Sequence, residues 1–305
     1  MNKHFKKYFF YFLARIFCLF GFYDRSLLCY SKVIQFRTFF WDVQAQYIDA
    51  YEKSTKSCDL EIHGGIGDFL QHLPFMIKHP NENYVVITHF AKAKAFFKAL
   101  NIHIKKIYFY KNGDEHRAIK SRLRKKAQSL LCPRIIFFKK NPFKLSTVFR
   151  FKKKPIIGLH MSTSNQTGGT LDEKFVLSLI KKILDQHMTI VLFGTQDELK
   201  ALRLKTNPNL IFASHHDIIK NLAFVKSCDL LIGAESVFKT MSSMLKIPTL
   251  VYHHDNNNHF RDRVFTNPYI KAGVMSVYKY QALEKEIEPA IDFALQTIKK
   301  LKVNV

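Results

Sequence analysis

The 305-residue sequence predicts an α/β protein made of two doubly wound units in tandem, and three observations lead there. From Cys58 to His253, short apolar runs alternate with amphipathic ones, as happens when parallel strands are joined by crossover helices. The alternation breaks once, at the basic, proline-flanked stretch KKNPFKLSTVFRFKKKP (139–155), which has the composition of an interdomain linker. The chain is also long enough for two ordinary domains, each with its own core.

The elements follow from periodicity. In the first unit, strands are expected at 59–63, 84–88, 104–110 and 134–138, with helices near 67–78, 91–100 and 114–131. The 67–78 helix is expected to bury Phe69, Leu70, Leu73 and Ile77. In the second unit, strands at 156–160, 189–194, 209–213, 229–233 and 249–253 alternate with helices near 172–187, 196–204, 216–227 and 236–246. A last helix covers 281–301. The division is therefore an N-terminal helical extension (1–56), a first α/β domain (57–145), a second (146–280) and a C-terminal helix (281–305). Within the extension, 24–56 is expected to continue helical, with Phe36, Phe39, Phe40, Trp41, Tyr47 and Tyr51 as its candidate buried side.

Composition narrows the partners. Forty-eight Lys and Arg against twenty-four Asp and Glu give a formal charge of +24, a field that attracts nucleic acid, anionic membrane or phosphorylated glycolipid. The cationic residues spread along the whole chain and form no stripe interleaved with aromatics, so nucleic acid is not the expected partner. Five scattered cysteines with no CxxC pair argue for a reducing compartment and against a disulfide or zinc scaffold. At the N-terminus, MNKHFKKYFFYFLARIFCLFGFY places basic residues before a Phe-rich run that Arg15 interrupts, too short for the roughly 20 residues of a spanning helix. No small-residue cleavage site follows it. Two readings remain: a helix in the membrane interface with Lys3, Lys6, Lys7 and Arg15 on anionic lipid, or a helix packed on the following domain.

Residues 61–76 read EIHGGIGDFLQHLPFM, and the aspartate stands out. Asp68 falls at the turn between the first strand and its helix, where Gly64, Gly65 and Gly67 allow positive φ and close approach of a ligand. One reading is a helix cap. The other is a carboxylate at the carboxyl edge of a parallel sheet, where open α/β folds bind ligands.

GDFLQHLPF (67–75), LIGAESVFKTMSSMLKIPTLVYH (231–253) and the LH–helix–IVLFGTQDE segment between them resemble, in order and approximate spacing, glycosyltransferase family 9, the lipopolysaccharide heptosyltransferases. The resemblance covers most of 58–253 and leaves the first fifty or so residues outside it. It implies a GT-B-like fold, two Rossmann-like domains facing a cleft, and metal-independent inverting transfer of a heptose or related sugar from a nucleotide-diphosphate donor. ADP-heptose is the first expectation for the donor, and a lipopolysaccharide core or other anionic glycan for the acceptor. No cofactor is implied. The implied location is the cytoplasmic face of a bacterial inner membrane.

The resemblance assigns Asp68 as the base on the acceptor hydroxyl, and inverting chemistry needs such a carboxylate opposite the leaving diphosphate. Its donor-binding pattern falls on Glu235, Ser236, Val237 and Thr240, where the family's glycine and histidine are missing; Lys239 is the candidate substitute cation. Amides at that helix start are suited to phosphate. The loop 160–170, HMSTSNQTGGT, lacks the family's lysine and offers Ser162, Thr163, Ser164 and Thr167 instead. Asp197 or Glu198 stands where the family places a ribose-binding acid, and each also reads as a helix cap.

His-His-Asp occurs at 215–217 and 253–255. Ser214 and Asp217 explain the first as a capping pair, and in the second His253, Arg261 and Arg263 are candidate contacts for diphosphate or acceptor anion, so no metal is expected. Two rival readings stay open: a non-catalytic membrane-associated relative that lost the donor site, and a basic nucleic-acid-binding protein.

Overall fold

The computed structural model describes residues 3–34, 46, 50, 51, 53, 54, 59–123, 127–129, 142, 155–162, 170–213, 218–253, 268–280 and 283–303. The chain forms two compact units, Met1–Ile136 and Phe137–Val305.

The first unit begins with two packed helices, α1 (Lys3–Leu19) and α2 (Tyr23–Ile34). Small side chains allow their close approach: Ala14 and Ser26 are fully buried, and Ser26 Oγ donates to the Ala14 carbonyl at 2.9 Å. Gly21, with φ +75°, makes the turn between them. Of the aromatics expected to be buried over 24–56, Tyr51 is buried; Phe36, Phe39, Phe40, Trp41 and Tyr47 lie outside the described residues.

A four-stranded parallel sheet follows, β1 (Asp59–His63), β2 (Tyr84–Thr88), β3 (Ile104–Phe109) and β4 (Ala127–Ser129), in the order β3-β2-β1-β4. Its strands are joined by α3 (Ile66–Lys78), α4 (Ala93–Ala99) and α5 (Gly113–Leu123). On α3, Phe69, Leu70, Leu73 and Met76 are fully buried, with the Phe69 ring 4.9 Å from that of Phe97. Ile77, in its last turn, is instead 46% exposed. The helix expected over 114–131 stops at Leu123, and Ala127–Ser129 pairs with Asp59–Glu61. Main-chain pairing to β1 overrides a local helical pattern there, as tertiary context does for short segments. The strand expected at 134–138 lies outside the described residues.

The second unit is a six-stranded parallel sheet: β5 (Ile156–His160), β6 (Thr189–Phe193), β7 (Leu210–Ala213), β8 (Leu230–Gly233), β9 (Thr249–His253) and β10 (Met275–Lys279), ordered β10-β9-β8-β5-β6-β7. Every residue of β5, β6 and β9 is buried, which is why these strands read as unbroken apolar runs. The helices are α6 (Glu173–Asp185), α7 (Gln196–Ala201), α8 (Ile218–Val225), α9 (Val237–Met244), α10 (Pro268–Lys271) and α11 (Glu284–Val303). Neither β10 nor α10 is signalled by periodicity. Met275–Lys279 gains its strand by pairing in register with Thr249–His253, and Tyr280 just after it packs 5.1 Å from the Phe175 ring.

Both sheets share one topological feature. The chain lays down two strands outward from the first, then returns to the other side of that first strand, so order reverses between β1 and β4 and between β5 and β8. Ligands of open α/β sheets bind at the carboxyl edge beside such a reversal. At the second reversal the backbones of β5 and β8 meet closely. A Cβ on Gly233 would lie 2.1 Å from the His160 carbonyl oxygen. Gly233→Ala must therefore push these central strands away from each other, and a loss of about 3 kcal/mol, the upper end for overpacking, is expected in urea unfolding; unchanged stability would show that the strands separate freely.

Candidate functional site

In the first unit, the loop after β1 is built around one glycine. Gly64 has φ +107°, and a Cβ there would lie 2.0 Å from Asp68 Oδ2. No other residue fits. The loop is pinned to the next strand: Gly64 N–H donates to the Ile87 carbonyl at 3.1 Å, and Thr88 Oγ1 donates to the Gly64 carbonyl at 2.7 Å. Gly65 is extended, and Gly67 opens on space, with nothing within 4 Å of a would-be Cβ.

Asp68 is the third residue of α3, and its Oδ2 accepts the Gly65 N–H at 2.9 Å. The capping reading of the sequence thus describes its local bond. The side chain is nevertheless exposed, and among the described residues no cation pairs with it. Buried His72 uses Nδ1–H to hold the Asp68 carbonyl at 2.6 Å, fixing the first helical turn from behind.

A cluster that the sequence reading missed surrounds this loop. Buried Glu61 accepts a hydrogen bond from His63 Nε2, and His63 Nδ1 lies 3.3 Å from His116 Nε2. The His116 ring packs 4.7 Å from Tyr110, whose hydroxyl is 3.1 Å from His89 Nδ1. Burial, and then the charge of Asp68, push the Tyr110 hydroxyl pKa up, which places Tyr110 within electrostatic reach of the carboxylate. Burial, and then His63, lower that of His116. The signal was available in the sequence: His63, His89 and Tyr110 each end or follow one of three adjacent strands.

In the second unit, the edge beside the β5–β8 reversal gathers His160, Ser162, Glu198 and the start of α9. Each oxygen of Glu198 carries one hydrogen bond: Oε2 accepts the Thr195 N–H at 2.7 Å and Oε1 accepts the Ser162 hydroxyl at 2.5 Å. Burial opposes its ionisation, but these hydrogen bonds and His160 outweigh it, and its pKa falls below the usual carboxylate range. Asp197 is exposed in the first turn of α7.

At α9, Lys239 departs from the role of a free cation: its Nζ is 2.8 Å from Glu235 Oε1, an i,i+4 pair that takes up both charges. Thr240 is buried, with Oγ1 3.5 Å from the Ser236 carbonyl, a bond within its own helix. Ser236 caps α9 without a side-chain bond to it, and Val237, half-buried, is the first helical residue. His253, buried, ends β9. Thr163, Ser164, Thr167, Ser214, Asp217, Arg261 and Arg263 lie outside the described residues.

No family model matches this sequence, and no curated protein does. Solved structures do. The ADP-heptose lipopolysaccharide heptosyltransferase II of E. coli superposes with a TM-score of 0.51 at 10% identity, over 80% of this chain and 99% of that one. A family 9 glycosyltransferase from Veillonella parvula gives 0.52 at 10% identity, over 83% and 98%. A Listeria monocytogenes protein described as a UDP-N-acetylglucosamine 2-epimerase gives 0.55 at 10% identity, over 81% and 90%. The chain has the fold these enzymes share. At such identity the likeness to family 9 is one of architecture, which transferases and epimerases have in common, so the chemistry must be argued from the residues.

One of those residues has a measurable consequence for stability. Burial drives the His160 pKa down to about 4 against an ordinary 6.5, the nearby Glu198 charge only weakly opposing the fall. The unfolded chain then takes up the proton first, so the contribution of this group is whole above pH 6.5 and is lost as pH falls from 6.5 toward 4. A loss of roughly 3 kcal/mol across that window is expected from the size of the shift. Calorimetry from pH 7 to 4 should show a steeper fall in Tm for the native chain than for His160→Gln; parallel curves would contradict a buried neutral imidazole.

Proposed function

We propose that this protein is an inverting glycosyltransferase that moves a heptose or related sugar from a nucleotide-diphosphate donor to an anionic glycan, a lipopolysaccharide core being the first expectation. The observation that carries this reading is Asp68: an exposed carboxylate with no cationic partner among the described residues, fixed by an obligatory glycine at the carboxyl edge of the first sheet. A carboxylate merely closing a helix would not need the left-handed Gly64 packed beneath it.

In the proposed reaction, Asp68 takes the proton of an acceptor hydroxyl as that oxygen attacks the anomeric carbon from the face opposite the diphosphate. The bond from the anomeric carbon to the diphosphate oxygen breaks, and its electron pair leaves with the nucleoside diphosphate. The amides of Val237 and Phe238 at the start of α9, with Ser236 and hydroxyls of the 162–167 loop, stabilise the charge that develops there. Glu198, whose oxygens accept from Ser162 and Thr195, ties Ser162 to the start of α7, and in this reading its remaining lone pairs accept from a ribose hydroxyl. ADP-heptose, the donor named for the E. coli enzyme of the same fold, is the first donor to test.

The N-terminal helix pair supplies a surface for the second partner, an anionic membrane. Tyr8, Phe9, Phe12, Leu19, Phe20, Phe22 and Leu28 are exposed on it, with Arg15 and Arg25 exposed beside them and Arg25 lying 5.6 Å over the Phe22 ring. No helix among the described residues is long and apolar enough to cross a membrane, so the association proposed is interfacial.

Two outcomes are expected. Asp68→Asn lowers nucleoside diphosphate release in the presence of acceptor by at least about 100-fold, the usual worth of a general base, with nucleotide affinity unchanged; near-native turnover would remove Asp68 from the chemistry, and epimerised donor as the product would favour the epimerase reading of the fold. Full-length protein is expected to sediment with phosphatidylglycerol vesicles and to lose most of that binding in Phe12→Ser/Phe20→Ser, whereas equal sedimentation of the two would leave the aromatic surface without this role.

A further inference from the structure

In the second unit, two buried polar atoms at the carboxyl edge of the sheet have no hydrogen-bond partner among the described residues. These are Nδ1 of His160 and Oγ of Ser236. Leaving such an atom unpaired forfeits its hydration with no return, so two at one place call for an explanation. They are at one place. His160 ends β5 and sits in register with Gly233 of the adjacent β8; Ala234 N–H donates to the His160 carbonyl at 3.0 Å, and Ser236 follows two residues later. Both therefore belong to the carboxyl edge at the strand-order reversal.

The imidazole is held there firmly. Its ring centroid is 4.6 Å from that of Phe238, the second residue of α9, and Phe238 stacks at 4.7 Å on Phe193, which ends β6. His160 is 7% exposed, so its ring belongs to the wall against which the first turn of α9 rests. The amides of that turn have no acceptor within the helix, and the Ser236 side chain does not cap them. Lys239, the lysine of α9 itself, is paired with Glu235.

We propose that His160 is a ligand-contacting residue: its Nδ1–H and the Ser236 hydroxyl donate to oxygens of a nucleoside diphosphate seated on the first turn of α9. The proposal rests on the donor reading given under Proposed function and adds to it a residue and a mode of recognition. Phosphate oxygens are acceptors only, which selects the tautomer carrying its proton on Nδ1. The diphosphate is then gripped by neutral donors, amides, a hydroxyl and an uncharged imidazole, where a lysine or arginine would be the common choice. Burial holds the imidazole uncharged well below neutral pH, so the grip does not change as a surface histidine would titrate.

The test is calorimetric titration of the full chain with ADP, GDP, UDP, CDP and inorganic pyrophosphate. For the tightest of these, His160→Gln, which cannot place an amide nitrogen at the Nδ1 position, is expected to weaken binding about tenfold, the worth of one hydrogen bond to an anion. His160→Asn, which can, is expected to recover most of that affinity, and Ser236→Ala to lose several-fold. The loss in His160→Gln should be the same at pH 6 and pH 8. Equal affinity of native chain and His160→Gln would overturn the proposal while leaving the diphosphate reading intact; no binding of any probe by the native chain would overturn both. Should the variants fail to fold, the imidazole 15N resonances of His160 in the native chain decide: displacement on adding the bound diphosphate supports the contact, and an unmoved pair refutes it.

Discussion

The constraint on which the rest depends is the reversal of strand order beside the first strand of each sheet. A chain that runs outward through β1, β2 and β3 and then comes back to place β4 on the other flank must send its crossover helices to opposite faces of the sheet, and the carboxyl edge beside such a reversal is where open α/β sheets bind ligands. The second sheet repeats this between β5 and β8. Glycine is required at both: Gly64 because Asp68 occupies the space of a Cβ, Gly233 because the backbone of β5 does.

The two edges differ in kind. The first presents charge, with an exposed carboxylate at Asp68 and beside it a chain of titratable groups from Glu61 through His63 and His116 to Tyr110 and His89. The second presents neutral donors among aromatic rings, its acid and its base already paired as Glu235 and Lys239, and its other carboxylate, Glu198, tied to Ser162 and Thr195. That division suits a group transfer in which one side must accept a proton and the other must hold an anion that grows more charged as it leaves. Among the described residues at the α9 edge the one lysine, Lys239, is paired with Glu235, while the formal charge of the whole chain is +24, a field that attracts anionic partners.

Much of this was legible in the sequence because buried parallel strands leave a strong trace. Runs such as TIVLF and TLVYH are apolar on both faces, and the structure places them as strands within a residue of where periodicity does. The place of Asp68 at the turn between a strand and a helix was legible for a local reason, since the glycines before it end the apolar run of β1. What escaped was set by tertiary pairing. Ala127–Ser129 carries no strand signal and becomes one through main-chain bonds to β1; Met275–Lys279 does the same on β9. The pairing of Lys239 with Glu235 is readable as an i,i+4 spacing, which competes with any role of Lys239 as a free phosphate-binding cation. His160 has no sequence mark of its own, as a lone histidine ending an apolar strand; the burial of its ring and an Nδ1 without a partner among the described residues single it out.

The central claim is direct displacement, with the carboxylate of Asp68 and the departing diphosphate on opposite faces of the sugar. The anomeric configuration of the transferred sugar, read by NMR on product formed from a donor of defined anomer, tests it most directly. Inversion at the anomeric carbon is the result the account requires. Retention would mean two displacements or a front-face attack, and Asp68 could not then be the sole base of a single step.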